Sequence, residues 1–136
     1  RALHRRPGVT QTVAATQQAI DLATIAARAA ADKHASTITG LDVSGQMPLT
    51  DIFLVVSADN ERQVQAMSEA IEDTLREEAG VKTLRREGHG PGRWVLLDFG
   101  DIVVHAQHDE EKDFYDLARL WRDCPLVPVE LSGDDA

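Results

Sequence analysis

The most constraining feature of the chain is a run of five consecutive apolar residues, Ile52 to Val56 (IFLVV), set between Asp51 and Ser57. A run this short, rich in β-branched and aromatic side chains, reads as a strand, and its lack of alternation means that both faces are covered. Such a strand belongs in the interior of a layered α/β fold. A helix start follows at once. Asp59 or Asn60 stands at the N-cap position, with Gln63 three residues after Asn60. Val64, Met67, Ile71 and Leu75 then recur at spacings of 3, 4 and 4, a core-facing stripe, and Gly80 sits where a glycine closes a helix. The outer side of this helix is acidic, which suits a solvated face.

Other elements flank this strand–helix unit. Residues 1–12 hold three arginines, a proline and a glycine, with little apolar content, and read as a flexible N-terminal arm. Residues 14–34 are alanine-rich, with Ile20, Ala23, Ala27 and Ala30 at helical spacing. They predict a long helix with a thin, small-residue face, suited to close packing on a sheet or on a second copy of itself. Residues 36–45 read as a strand before a Ser-Gly turn, and 81–87 as another. GHGPG (88–92) reads as a loop. Segments 93–99 and 102–107 are strands joined by Gly100-Asp101, a connection that predicts an antiparallel hairpin. Residues 108–123 predict one helix, with acids at its positive end and Phe114, Leu117, Leu120 and Trp121 as its apolar face. Pro125 and Pro128 keep 124–131 out of a helix; this predicts an extended C-terminal segment laid over the domain, with 132–136 a loose tail. The expectation is a single α/β domain over residues 13–131, with a mixed five-stranded sheet flanked by helices.

Composition narrows the function classes. A formal charge of −9 opposes a broad nucleic-acid footprint and favours a basic protein partner. The one cysteine, Cys124, permits no intrachain disulfide, and the scattered histidines do not form a four-ligand zinc set. No apolar run approaches the ~20 residues of a membrane span. Residues 1–18 have a basic start without the apolar core of a signal peptide. A cytoplasmic setting without membrane contact is the expectation.

Candidate chemistry is sparse. GHGPG has the glycines of a phosphate loop but leads into a strand, whereas a phosphate loop needs a helix N-terminus to meet the anion. Asp98 and Asp101 flank the hairpin turn. Paired acids can hold Mg²⁺, but a nucleotidyl-transfer pair sits at i and i+2 on one strand, and this offset is three. Asp101 reads as the turn former, while Asp98 falls within the strand. His105 and His108 span a strand–helix junction and point apart; His105 reads as a hydrogen-bonded structural histidine. Cys124 reads as a small apolar filler, and Ser57 as a capping or turn residue. No nucleophile–base pair is recognisable, so no catalytic, cofactor-binding or metal residue and no cofactor is assigned. The alternative from a different class is a divalent-metal nucleotidyl-transfer enzyme using Asp98, Asp101 and His105.

By alternation, Val95, Leu97 and Phe99 share one face of their strand and form the natural core set, while Trp94, Leu96 and Asp98 share the other. A Trp-Leu-Asp row is an interface anchor if exposed, because tryptophan is enriched at binding hot spots. It is core if the first helix or the C-terminal segment covers it. The pattern alone leaves both open.

DIFLVVSADNERQVQAM (51–67), RREGHGPGRWVLLDFGDIVVHAQ (85–107) and DFYDLARLW (113–121) resemble the ribosomal silencing factor family, also called Iojap-related, over about residues 14–131. The resemblance implies an α/β fold with nucleotidyltransferase-like topology and no catalytic motif. It implies a non-enzymatic protein that binds the large ribosomal subunit through its fourteenth protein, hinders joining of the small subunit and lowers translation when nutrients are short. Organellar relatives act in large-subunit assembly. It also implies a homodimer when the protein is free. The contact row it points to is Trp94, Leu96 and Asp98 with Tyr115 on the following helix: Trp94 filling a pocket, Asp98 pairing with a basic side chain of the ribosomal protein. Glu87 and Arg62 match family positions and suit a structural ion pair, and Asp51 suits an internal cap.

Overall fold

In chain order the described residues form α1 (Gln17–Asp32), β1 (Thr37–Asp42), β2 (Ile52–Ala58), α2 (Glu61–Ala79), β3 (Arg85–His89), β4 (Trp94–Asp98), β5 (Ile102–His108), α3 (Asp109–Tyr115), α4 (Leu117–Leu120) and β6 (Leu126–Val127). The computed structural model describes residues 14–129 and 131; the expected 1–12 arm and 132–136 tail lie outside these residues. The strands make one sheet in the order β3-β4-β5-β2-β1-β6. β2 and β5 are parallel and every other pair is antiparallel. All seven residues of β2 are buried, as its unbroken apolar run requires.

Alternation along the strands splits the interior into two layers. Ile52, Leu54 and Val56 of β2, Val95 and Leu97 of β4, and Ile102, Val104 and Ala106 of β5 face α1 and α2 and form the main core. Phe53, Val55 and Val103 point the other way, into a smaller cluster with Leu41, Val43, Leu117 and Cys124, edged by Met47, Trp94, Leu96 and Trp121. The helix layer holds the larger cluster, and α1 packs into it through small side chains. Ala19, Ala23, Ala26, Ala27 and Ala30 are wholly buried, which lets α1 lie close against α2 and the sheet. α2 begins at Asn60, whose side chain accepts the Gln63 N–H at 2.8 Å, and closes at Gly80 with φ 66°.

Two buried carboxylates tie down the start of α1. Asp42 Oδ2 accepts the N–H groups of Ala14 and Ala15, and Asp51 Oδ2 accepts that of Thr16 at 2.9 Å, so Asp51 does act as an internal cap. Burial pushes the Asp42 carboxyl up. The Ser44 hydroxyl and amide and the amides of Ala15 and Ala14 outweigh that and hold it below the usual carboxylate range.

Three expectations need correction. The sheet has six strands rather than five, because the C-terminal segment does not merely lie over the domain: Leu126 and Val127, between the two prolines, pair with β1 at its free edge. The expected helix over 108–123 is two, broken at Asp116, which adopts φ 46° and caps α4 by accepting the Arg119 N–H. An aspartate competes for backbone N–H groups and favours caps over helix interiors. The break spoils the expected apolar face: Leu117 is buried, whereas Phe114 and Leu120 are 80% and 70% exposed. Finally, β3 starts later than 81–87 and runs through Gly88 and His89, into the stretch expected to be loop.

Candidate protein-docking face

The hairpin of β4 and β5 closes through Phe99, Gly100 and Asp101, and its antiparallel register places Trp94 beside Gln107 and Leu96 beside His105. Val95, Leu97 and Phe99 are buried under the helices, as their alternation predicts. Trp94, Leu96 and Asp98 are half-buried on the opposite face. Neither α1 nor the C-terminal segment supplies the ring contacts of Trp94. Its neighbours are His105 and Tyr115, at centroid distances of 6.0 and 4.9 Å. The aromatic contacts continue outward from Tyr115 to Phe114 at 4.9 Å, and inward from His105 to Phe53 at 4.9 Å and on to Trp121 at 5.1 Å. A continuous row of rings thus runs from the smaller core to solvent. It ends on Tyr115 and Phe114, which α3 projects without burying any of its own residues.

His105 sits at the middle of the row. The Trp94 indole Nε1–H donates to its Nδ1 at 3.2 Å, so it is a hydrogen-bonded histidine, as expected. Burial lowers its pKa to about 4 and keeps the imidazole neutral at physiological pH. His108 lies elsewhere: it caps α3, its Nδ1 accepting the Glu110 N–H at 3.1 Å.

Asp98 falls within β4 as expected, but the side chain that forms the turn is that of Asp98 rather than of Asp101. Asp98 Oδ1 accepts the Gly100 N–H at 2.8 Å, so its side chain forms the turn. Asp101 contributes its backbone carbonyl, which accepts from the Asp51 and Ile52 amides. The structure therefore places Trp94, Leu96 and Tyr115 around one aromatic surface, with Asp98 at the turn end of the same strand. Among the described residues no three acids, histidines or cysteines are grouped to hold a metal ion. Ser57 is neither cap nor turn former: it lies in β2 and shares a hydrogen bond with Thr37 across the strands at 2.6 Å. Cys124 is buried, and burial with the Asp42 and Asp123 carboxylates pushes its thiol up, which suits the filler role. Glu87 pairs with Arg85 at 3.0 Å, a partner different from Arg62.

Two positions without an assigned role hold this face in place. Arg93 opens toward three acids, Glu61 at the start of α2 and Glu110 and Glu111 at the start of α3, at 3.8, 3.0 and 3.2 Å. Its guanidinium donates hydrogen bonds to Glu110 and Glu111, which raise its pKa and keep it charged. Gly92 has φ 108°, and a Cβ there would stand 2.5 Å from the Glu61 carbonyl oxygen. The GHGPG stretch thus serves as a close-fitting seam between α2 and β4. Its signal in the sequence is only the glycine itself, because every partner is distant along the chain.

Fold and face together define a class: a small α/β domain with one sheet face sealed by helices and the other presenting a row of aromatic rings. A family model described as "Ribosomal silencing factor during starvation" matches residues 16–136. The chain is 41% identical over 106 residues to the ribosomal silencing factor RsfS of Bacillus subtilis, covering 78% of this chain and 89% of that one. It is 31% identical over 120 residues to the chloroplastic Iojap protein of Zea mays, covering 86% of this chain and half of that one. Among solved structures, one from Chromobacterium violaceum superposes with a TM-score of 0.71 at 33% identity, over 85% of this chain and 97% of that one. One from Bacillus halodurans gives 0.68 at 35% identity, over 84% and 100%. The chain belongs to the ribosomal silencing factor family.

Proposed function

We propose that this protein docks on the large ribosomal subunit through that subunit's fourteenth protein, blocks joining of the small subunit and so represses translation under nutrient limitation in the cytoplasm. The aromatic face is the docking surface, with Trp94, Leu96, Asp98 and Tyr115 as its contacts. The observation that carries this reading is the half-buried Trp94, its ring tilted against that of Tyr115 at 4.9 Å, on the sheet face away from α1 and α2. Amphipathic rings held rigidly at a surface lose little entropy on binding, which makes them suitable anchors. The charge of −9 favours a basic protein over the RNA around it and steers the encounter. Among the described residues no helix is long and apolar enough to cross a membrane.

Co-sedimentation with purified ribosomal subunits tests this. Wild-type protein is expected to travel with the large subunit and to reduce its joining to the small one. Asp98→Asn keeps an acceptor for the Gly100 N–H but removes the charge, and is expected to bind more weakly while melting normally. Wild-type protein remaining at the top of the gradient would refute the proposal.

A further inference from the structure

We propose that His105 is a positioning residue for docking: its Nδ1 holds the Trp94 indole in the orientation the ribosomal partner meets. This rests on the reading of Trp94 as a docking contact. An indole Nε1–H is a donor only, so the nitrogen it meets at 3.2 Å is an acceptor and the imidazole proton resides on Nε2. The imidazole cannot swing away, because it is 93% buried, at 7% exposure, and the Phe53 ring stands edge-on to it at 4.9 Å. The ring also stays neutral, since the apolar surroundings disfavour the doubly protonated form, so Nδ1 remains free to accept. The Trp94 indole is therefore fixed at two points, by a hydrogen bond on one side and by the Tyr115 ring on the other.

Two further observations favour positioning over simple core filling. His105 Nε2 is buried and has no hydrogen-bond partner among the described residues. An imidazole with an idle buried donor is a poor filler, because an apolar ring of similar size would carry no such penalty. Gln107, the cross-strand neighbour of Trp94, is wholly buried with both amide atoms unpartnered among the described residues, so it does not hold the indole. The acceptor function falls to His105.

His105→Phe keeps a ring but removes the acceptor; His105→Asn keeps an acceptor near the Nδ1 position but loses the ring. The indole N–H proton resonance of Trp94, assigned with Trp121→Phe, reports the hydrogen bond directly. Binding to purified large subunits and thermal melts are read beside it. In His105→Phe the Trp94 N–H is expected to move upfield and exchange faster, affinity to fall about tenfold, the scale of one lost hydrogen bond, and the melt to hold or rise. His105→Asn is expected to recover most of the affinity despite a lower melting temperature. If His105→Phe binds like wild type while Trp94→Ala does not, His105 has no positioning role although the docking reading stands. If Trp94→Ala also binds like wild type, or wild type does not bind, the docking reading fails and this inference fails with it.

Discussion

The two faces of the sheet are built on opposite terms. Against α1 and α2 the side chains are aliphatic, wholly buried and packed among alanines. Against α3 and α4, Leu41, Val43, Val55 and Val103 are mixed with aromatic rings and polar groups, and Trp94, Leu96 and Trp121 keep one side open. That layer contains His105 and Gln107, which have polar atoms without partners among the described residues, and its outer members reach solvent at Tyr115 and Phe114. The first face carries the hydrophobic stabilisation of the domain. The second gives some of that up and keeps a rigid, amphipathic surface, which is what a docking site requires. The comparison makes stability and binding separable, and mutations on the two faces are expected to differ in which they damage.

The largest effect on stability belongs to the helix-covered face. Leu97 is wholly buried there, and Leu97→Ala is expected to cost ~3–5 kcal/mol in chemical unfolding, by lost burial plus a cavity. A cost under ~1 kcal/mol would show that this layer is not the principal core. Next comes a pH effect confined to the other face. In the unfolded chain His105 titrates near 6.5, and in the fold at about 4. Between those values the unfolded chain binds the proton and the folded one does not. Stability from this group is therefore full above about 6.5, falls as pH drops through that window and is exhausted below about 4, a change of ~3 kcal/mol at most. His105→Phe is expected to flatten the stability profile over that window; an unchanged profile would contradict the assigned burial.

Gly92→Ala comes third. The new Cβ would strike the Glu61 carbonyl at a positive φ, with an expected loss of ~2 kcal/mol by thermal melt. It would also loosen the seam that orients β4. The smallest stability effect is expected at Tyr115, which is 42% exposed. Tyr115→Ala should change unfolding by less than ~1 kcal/mol, yet weaken large-subunit binding by ~1–2 kcal/mol in titrations. The reverse ranking would move Tyr115 from the docking surface into the core.

Features with local causes were legible in the sequence. The β2 run, the Asn60 cap, the α2 stripe, Gly80 and the Gly100-Asp101 hairpin each depend on neighbours a few residues apart, and each stands as its pattern predicts. The alternation that separates Val95 and Leu97 from Trp94 and Leu96 is of the same kind. What could not be read depends on distant partners or on a local competition. β6 is two residues between prolines, with no period to detect, and exists because β1 offers a free edge. The break at Asp116 sets a capping side chain against a helical stripe, and the stripe loses. Whether Asp98 or Asp101 forms the turn depends on side-chain reach rather than residue type. The links from Trp94 to His105 and from Arg93 to Glu61, Glu110 and Glu111 join segments that only the folded sheet brings together.

The most direct test of the docking face is the affinity of Trp94→Ala for purified large ribosomal subunits, measured beside its thermal melt. The expected result is a loss of ~2 kcal/mol or more in binding, about thirtyfold, with a small change in melting temperature, because the indole is half-buried at the edge of the smaller cluster. Unchanged binding with a loss of ~3 kcal/mol or more in stability would contradict it, and would make Trp94 a core residue rather than an anchor.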